Sequence, residues 1–191
     1  MKRYVLLCFV LLAFLLSGCT SQPQFPVSSE LDLDALQKKM EVMMEKFRYE
    51  EFEALYFSIL QKTDGPGSPD FAAQPASVRA AYVVALMDME ILNGGIAQFF
   101  YNCGSEFAAL VPDALREVGF HDIAALYERF LAEQHITLSE IDSYRAAYPD
   151  FVGVYQAHPF DDFDNAYMSI WENTNFNVRM LEYAAAHPEL Y

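Results

Sequence analysis

The stretch PASVRAAYVVALMDMEILNGGIAQFFYNCG, Pro75–Gly104, decides the fold. Val78, Tyr82, Ala85, Met89 and Leu92 recur at helical spacing, and Val83, Val84, Leu86, Met87 and Ile91 fill much of the remaining circumference. A helix apolar nearly all round belongs at the centre of a bundle. Pro75 suits its first turn. Gly94-Gly95 ends this helix or bends it sharply, because two glycines reach backbone angles closed to other residues. Ile96–Tyr101 then starts a further helical segment that stops near Gly104.

Outward from this centre the pattern stays helical. Upstream, Leu36, Met40, Met43 and Phe47 share one face, and Phe52, Leu55 and Ile59 continue it after a phase shift near Tyr49, predicting a helix from about Leu31 to Lys62. Asp64-Gly65-Pro66-Gly67-Ser68-Pro69 stops it in a loop. Downstream, Ser105 is a candidate N-cap for a helix through Val118, with Gly119 at its C′ position and a kink or split expected at Pro112. Another helix follows from about Asp122 to Gln134. Thr137 and Glu140 form a capping box for a helix ending near Pro149, then comes a loop containing His158-Pro159. Helical pattern resumes from Asp162 to Ala186 with one break. The sequence predicts an all-α, compact multi-helix single domain over residues 30–191.

The N-terminus reads as an address. Met1-Lys2-Arg3, an apolar run from Tyr4 to Leu16 and a small-residue exit describe a signal peptide over residues 1–18. Leu16-Ser17-Gly18-Cys19 resembles the bacterial lipobox, which implies cleavage before Cys19 and lipidation of that cysteine. Residues 19–29, with two prolines and several small polar residues, form a linker; ten extended residues reach roughly 33 Å. The expected location is the extracytoplasmic side of the cell membrane or outer membrane, with acyl chains as the membrane contact.

Composition narrows the function. The chain has 12 Lys and Arg against 27 Asp and Glu, and loss of Lys2 and Arg3 takes the formal charge from −15 to −17. Direct nucleic-acid binding is disfavoured, since it requires neutralising phosphates with Lys and Arg. Cys8 leaves with the leader and Cys19 carries lipid, so Cys103 has no intramolecular disulfide partner; it reads as a small hydrophobe among Phe99, Phe100 and Phe107.

The candidate site is the text around the double glycine. Glu90, Asn93, Gly94, Gly95, Gln98 and Asn102 place polar side chains in a neighbourhood expected to be largely buried. One reading is a pocket of convergent hydrogen-bonding groups. The other is a helix joint whose freed backbone groups these side chains satisfy. Asp161-Asp162-Phe163-Asp164-Asn165 suggests a cation loop but lacks EF-hand spacing, and a helix N-terminus explains its acids equally. His121, His135, His158 and His187 do not pair at ligand spacing, and there is no HExxH, no Gly-X-Ser-X-Gly and no phosphate loop. Tyr167 and Trp171, four apart, read as core. No catalytic residue, metal or cofactor is expected.

Glu90-x-x-Asn93-Gly94-Gly95-x-x-Gln98-Phe99-Phe100-x-Asn102, followed by Ala114-Leu115 and Gly119, resembles a bacterial domain family whose best known member is a dimeric, all-helical DNA-mimic protein. The resemblance spans roughly residues 75–191. It implies a helical fold, homodimerisation and an acidic interaction surface. Glu41 with Glu45, Glu50 with Glu53, and Asp161 with Asp164 stand at spacings that put carboxylates about 5–6 Å apart on a helix. Three expectations follow: a membrane-tethered module that binds a protein partner, a DNA mimic occupying a basic groove, and a small-ligand binder or enzyme built on the Asn-Gly-Gly text.

Overall fold

A computed structural model describes residues 33–158 and 160–191. The leader, Cys19 and the linker lie outside the described residues. The described chain forms nine α-helices: α1 (Leu33–Lys46), α2 (Tyr49–Leu60), α3 (Pro69–Ala73), α4 (Ala76–Val118), α5 (His121–Glu133), α6 (Leu138–Ala147), α7 (Phe151–Ala157), α8 (Asp161–Thr174) and α9 (Phe176–Ala186), then a 3-10 turn at Pro188–Leu190. No strand occurs among the described residues, so the all-α expectation holds. The described residues up to Glu41 and residues 42–191 separate into two units. In the first, Gln37 Nε2 donates to Glu41 Oε1 at 3.0 Å along α1.

In the second unit α4 is the hub, packed against α2, α5, α6, α7, α8 and α9. Its 43 residues would run about 64 Å if straight, longer than a small domain is wide. Non-helical dihedrals at Gly94, Gly95 and Gly104 break it into three pieces: α4a (76–93), α4b (96–103) and α4c (105–118). The pieces fold back around one core. Phe100 of α4b, 0% exposed, lies at its middle. Tyr127, Phe130, Tyr144 and Phe160 surround it at ring-centroid distances of 6.3–6.4 Å. Phe120 stacks on Phe176 at 4.5 Å. The apolar window of α4 is long enough to cross a membrane, but 67% of it is buried inside the protein, as in the core helix of a bundle.

Four expectations change. The helix expected over Leu31–Lys62 is two helices, because Arg48 takes left-handed angles (φ 47°, ψ 45°). The break turns Phe47 inward onto Trp171, 5.1 Å between rings, and leaves Met43 52% exposed. Met89 of the expected α4 stripe is also exposed. The segment after Pro149 is not all loop: Asp150 accepts from Gly153 N at 3.0 Å and caps α7. Pro112 does not split α4c, whose dihedrals stay helical there. Proline lacks the N–H that would bond the Ala108 carbonyl. Tyr127 Oη donates to that carbonyl instead, at 3.2 Å.

The remaining caps follow the sequence. Thr137 Oγ1 accepts from Glu140 N at 3.2 Å, and Gly119 ends α4 at φ 93°.

Candidate functional site

The double glycine is a sharp bend. Gly94 sits at φ −159°, ψ 26° and Gly95 at φ 74°, ψ −179°, the latter a region open essentially to glycine alone. A Cβ on Gly95 would run into the Asp164 carboxylate, and one on Gly94 into Gln98 Oε1. Across the bend Glu90 acts as a strut. Its Oε2 accepts from Gln98 Nε2 and from Asn102 Nδ2, both at 2.7 Å. Glu90 and Gln98 are buried, and Asn102 closes the cluster from an exposed position. Asn93 is exposed and stands outside the cluster, so the neighbourhood is less enclosed than its sequence suggests. Glu90, Gln98 and Asn102 are thus brought together, with the carboxylate engaged by protein donors.

Breaking a helix frees an N–H and a carbonyl on either side of the break. Acids from other helices take the freed N–H groups. Asp164 Oδ1, at the start of α8, accepts from Ile96 N at 2.9 Å. Asp142 of α6 accepts from Ser105 N at 3.0 Å and from Ser105 Oγ at 2.7 Å. Ser105 does not cap itself as expected; Asp142 caps it. One helical turn further along α6, Arg145 donates to the carbonyls of Tyr101 and Asn102. A continuous helix would pair Tyr101 O with Ser105 N. Asp142 and Arg145 replace that single bond from outside, one taking the donor and the other the acceptor.

These acids differ electrostatically. The Ser105 hydroxyl and N–H hold the exposed Asp142 below the usual carboxylate range. Burial pushes Asp164 up to about 6, opposed by the Ile96 N–H and reinforced by Asp161. The sequence reading missed Asp88, which is 2% exposed in the middle of α4a. Its Oδ1 accepts both Tyr167 Oη at 2.7 Å and Trp171 Nε1 at 2.9 Å. Burial pushes it up to about 7 despite these two donors. Its signal was an aspartate inside an otherwise apolar run, Val83–Met87 before it and Met89 after it.

A shallow depression of about 270 Å³ lies beside Gly104, lined in part by Cys103, Glu106, Asp142 and Arg145. The Cys103 thiol is half-buried, and burial, with Glu90 acting in the same sense, pushes it up to about 12. Such a thiol is a poor nucleophile near neutrality. The acids of Asp161–Asn165 do not converge on a cation position. Asp161 takes the Tyr155 hydroxyl and Asp164 turns inward to Ile96. Among the described residues no three His, Cys, Asp or Glu side chains form a metal-binding group.

His158 stacks on Phe160 at 5.7 Å, and His187 Nδ1 lies 3.3 Å from Glu189, so these two histidines have local partners.

No curated protein and no solved structure matches the chain. Residues 72–187 match the family described as DMP19-like protein. That span covers all three pieces of α4 and every helix that caps them, and the chain belongs to the DMP19-like protein family.

Proposed function

We propose that this protein is a lipid-anchored, extracytoplasmic helical module that engages a protein partner through its acidic surface, without direct contact to nucleic acid. The anchor rests on Leu16-Ser17-Gly18-Cys19 and the linker behind it. The observation that carries the interaction reading is the division of the acids. Asp88, Glu90 and Asp164 each accept hydrogen bonds from protein groups inside the fold. Other acids, among them Glu50, Glu53, Glu106, Glu133, Asp162 and Glu172, are exposed and available to another molecule. A ligand seated on the Asn-Gly-Gly joint would have to displace Gln98 and Asn102 from Glu90.

The test is mass spectrometry of the mature N-terminus with subcellular fractionation, followed by cross-linking in intact envelopes. The expected species begins at a diacylated or triacylated Cys19 in the membrane fraction, and Cys19→Ala should leave an unacylated, uncleaved precursor. Cross-linking should recover a partner, and substitution of surface acids should abolish its capture. A full-length cytosolic product would defeat the anchored reading.

A second reading, favoured by the family, is a DNA mimic that dimerises and fills a basic groove. Glu50 and Glu53, exposed one turn apart on α2, suit it. Asp161 with Asp164 does not, because Asp164 faces α4. This reading requires that the leader stay unprocessed. Inhibition of lipoprotein signal peptidase discriminates: a precursor that accumulates in the membrane supports the anchored module, and an unchanged cytosolic protein supports the mimic.

A further inference from the structure

α8 holds both sides of the Gly94–Gly95 joint. Asp164, Tyr167 and Trp171 stand at i, i+3 and i+7 and so share one face. Asp164 reaches α4b at the Ile96 N–H, while Tyr167 and Trp171 reach α4a at Asp88. The joint itself has only glycines; Glu90 within α4 and α8 from outside supply side-chain hydrogen bonds that link its halves.

Among the described residues, the groups facing these two acids contain no cation. Around Asp88 stand Tyr167 and Trp171 from α8 and Tyr49 and Tyr56 from α2. Around Asp164 stand the Ile96 N–H, Asp161 and Tyr155. A carboxylate buried without an opposite charge is unfavourable, and a proton relieves it.

We propose that α8 is a proton-sensitive brace across the Gly94–Gly95 joint: protonation of Asp88, with Asp164 as the secondary site, tightens α8 on α4, and deprotonation loosens it. The sign follows from burial. Asp88 lies at about 7 in the fold against 3.8 for a free aspartate. Between those values the folded state holds a proton that the unfolded state has released. Stability from this group is therefore fully present below about pH 4 and is lost as pH rises through 7. Asp164, at about 6, acts in the same direction over a narrower window.

Trp171 is the only tryptophan in the chain and its indole N–H rests on Asp88, so it reports on the brace directly. The experiment follows Trp171 fluorescence and hydrogen exchange at Ile96 and α8, corrected for intrinsic rates, in the intact protein in detergent from pH 5 to 8.5. Wild type should show an emission transition with a midpoint near 7 and at least a tenfold loss of protection from pH 5.5 to 8. Asp88→Asn keeps the acceptor oxygen and should abolish the emission transition, leaving in the exchange only the smaller loss due to Asp164, whereas Asp164→Asn should keep the emission transition. An Asp88→Asn protein whose Trp171 emission still titrates near 7, or a wild type flat across the range, overturns the proposal. Should Asp88→Asn fail to fold, carboxyl ¹³C titration of wild type decides alone. One aspartate titrating near 7 supports the brace, and no aspartate titrating above pH 5.5 overturns it.

Discussion

Tyr127→Phe isolates one hydroxyl. Tyr127 is 0% exposed and Ala108 is 1% exposed, so water cannot replace a lost bond at either end. The ring stays, and with it the packing against Phe100 and Phe163. What goes is the donor to the carbonyl that Pro112 cannot serve. A net hydrogen bond contributes about 1 kcal/mol, and a buried carbonyl left without a partner costs roughly 1–3 kcal/mol. The expected destabilisation is about 2 kcal/mol, a fall in Tm of roughly 4–8 °C for a domain of this size. Pro112→Ala restores an N–H that can bond Ala108. In the Tyr127→Phe background that amide should recover the lost term, so the two substitutions should couple by about 1–2 kcal/mol in a double-mutant cycle measured by urea unfolding. Additivity within about 0.3 kcal/mol would refute the claim that Tyr127 completes the helix at Pro112.

Gly95→Ala and Gly104→Ala form a matched pair. Both glycines have nearly the same angles (φ 74°, ψ −179° and φ 73°, ψ −173°), but a Cβ at 95 meets the Asp164 carboxylate, whereas at 104 its nearest neighbour is Asp142 Oδ1 at 3.6 Å. Position 104 should cost only the backbone term, about 1–3 kcal/mol, and position 95 distinctly more by thermal denaturation; equal losses would deny the steric role of Asp164. Arg145→Met should cost about 1 kcal/mol in urea unfolding by leaving the Tyr101 and Asn102 carbonyls to water. Lysine there should recover only part of that loss, since it lacks the guanidinium fork. In a Cys8→Ala, Cys19→Ala background, Cys103 should react with a disulfide reagent at pH 7.5 far more slowly than a free thiol, speeding up only on unfolding; ready modification of folded protein would contradict its raised position.

The centrality of α4 was legible because its apolar residues leave no polar face for solvent, and the bend was legible because two glycines interrupt it. The capping of the bend was not. Asp164 lies 68 residues from Ile96 and Asp142 lies 37 from Ser105, and no local pattern links such pairs. Asp88 was hidden for the opposite reason. An isolated acid in a buried helix reads as a surface residue until a partner helix supplies Tyr167 and Trp171, which by spacing alone read as core. The phase shift near Tyr49 marked the place of the α1–α2 break but not that it separates two helices, because Arg48 is a poor left-handed residue to choose from sequence. Once it turns, the stripe containing Met43 separates from Phe47. α7 was masked by flanking prolines and Gly153, which signal a loop locally but here bracket a seven-residue helix.

A chain with a formal charge of −15 folds against its own repulsion, which makes the placement of each acid informative. Around α4 the acids accept hydrogen bonds that the glycine breaks leave open, so removing one should change stability before it changes binding. The exposed acids of α2, α4c and α8 lack that duty, and Arg116 and Arg179 neutralise only some of their neighbours. Substitutions at Glu50, Glu53 or Glu172 should therefore leave the fold intact while altering attraction to a partner, with an effect that weakens as salt rises. This separation gives the family's acidic character a physical test in this chain. If the surface acids prove as costly to remove as Asp164, then charge here serves the fold alone, and a partner must be sought on the exposed apolar side chains such as Phe57 and Met43 instead.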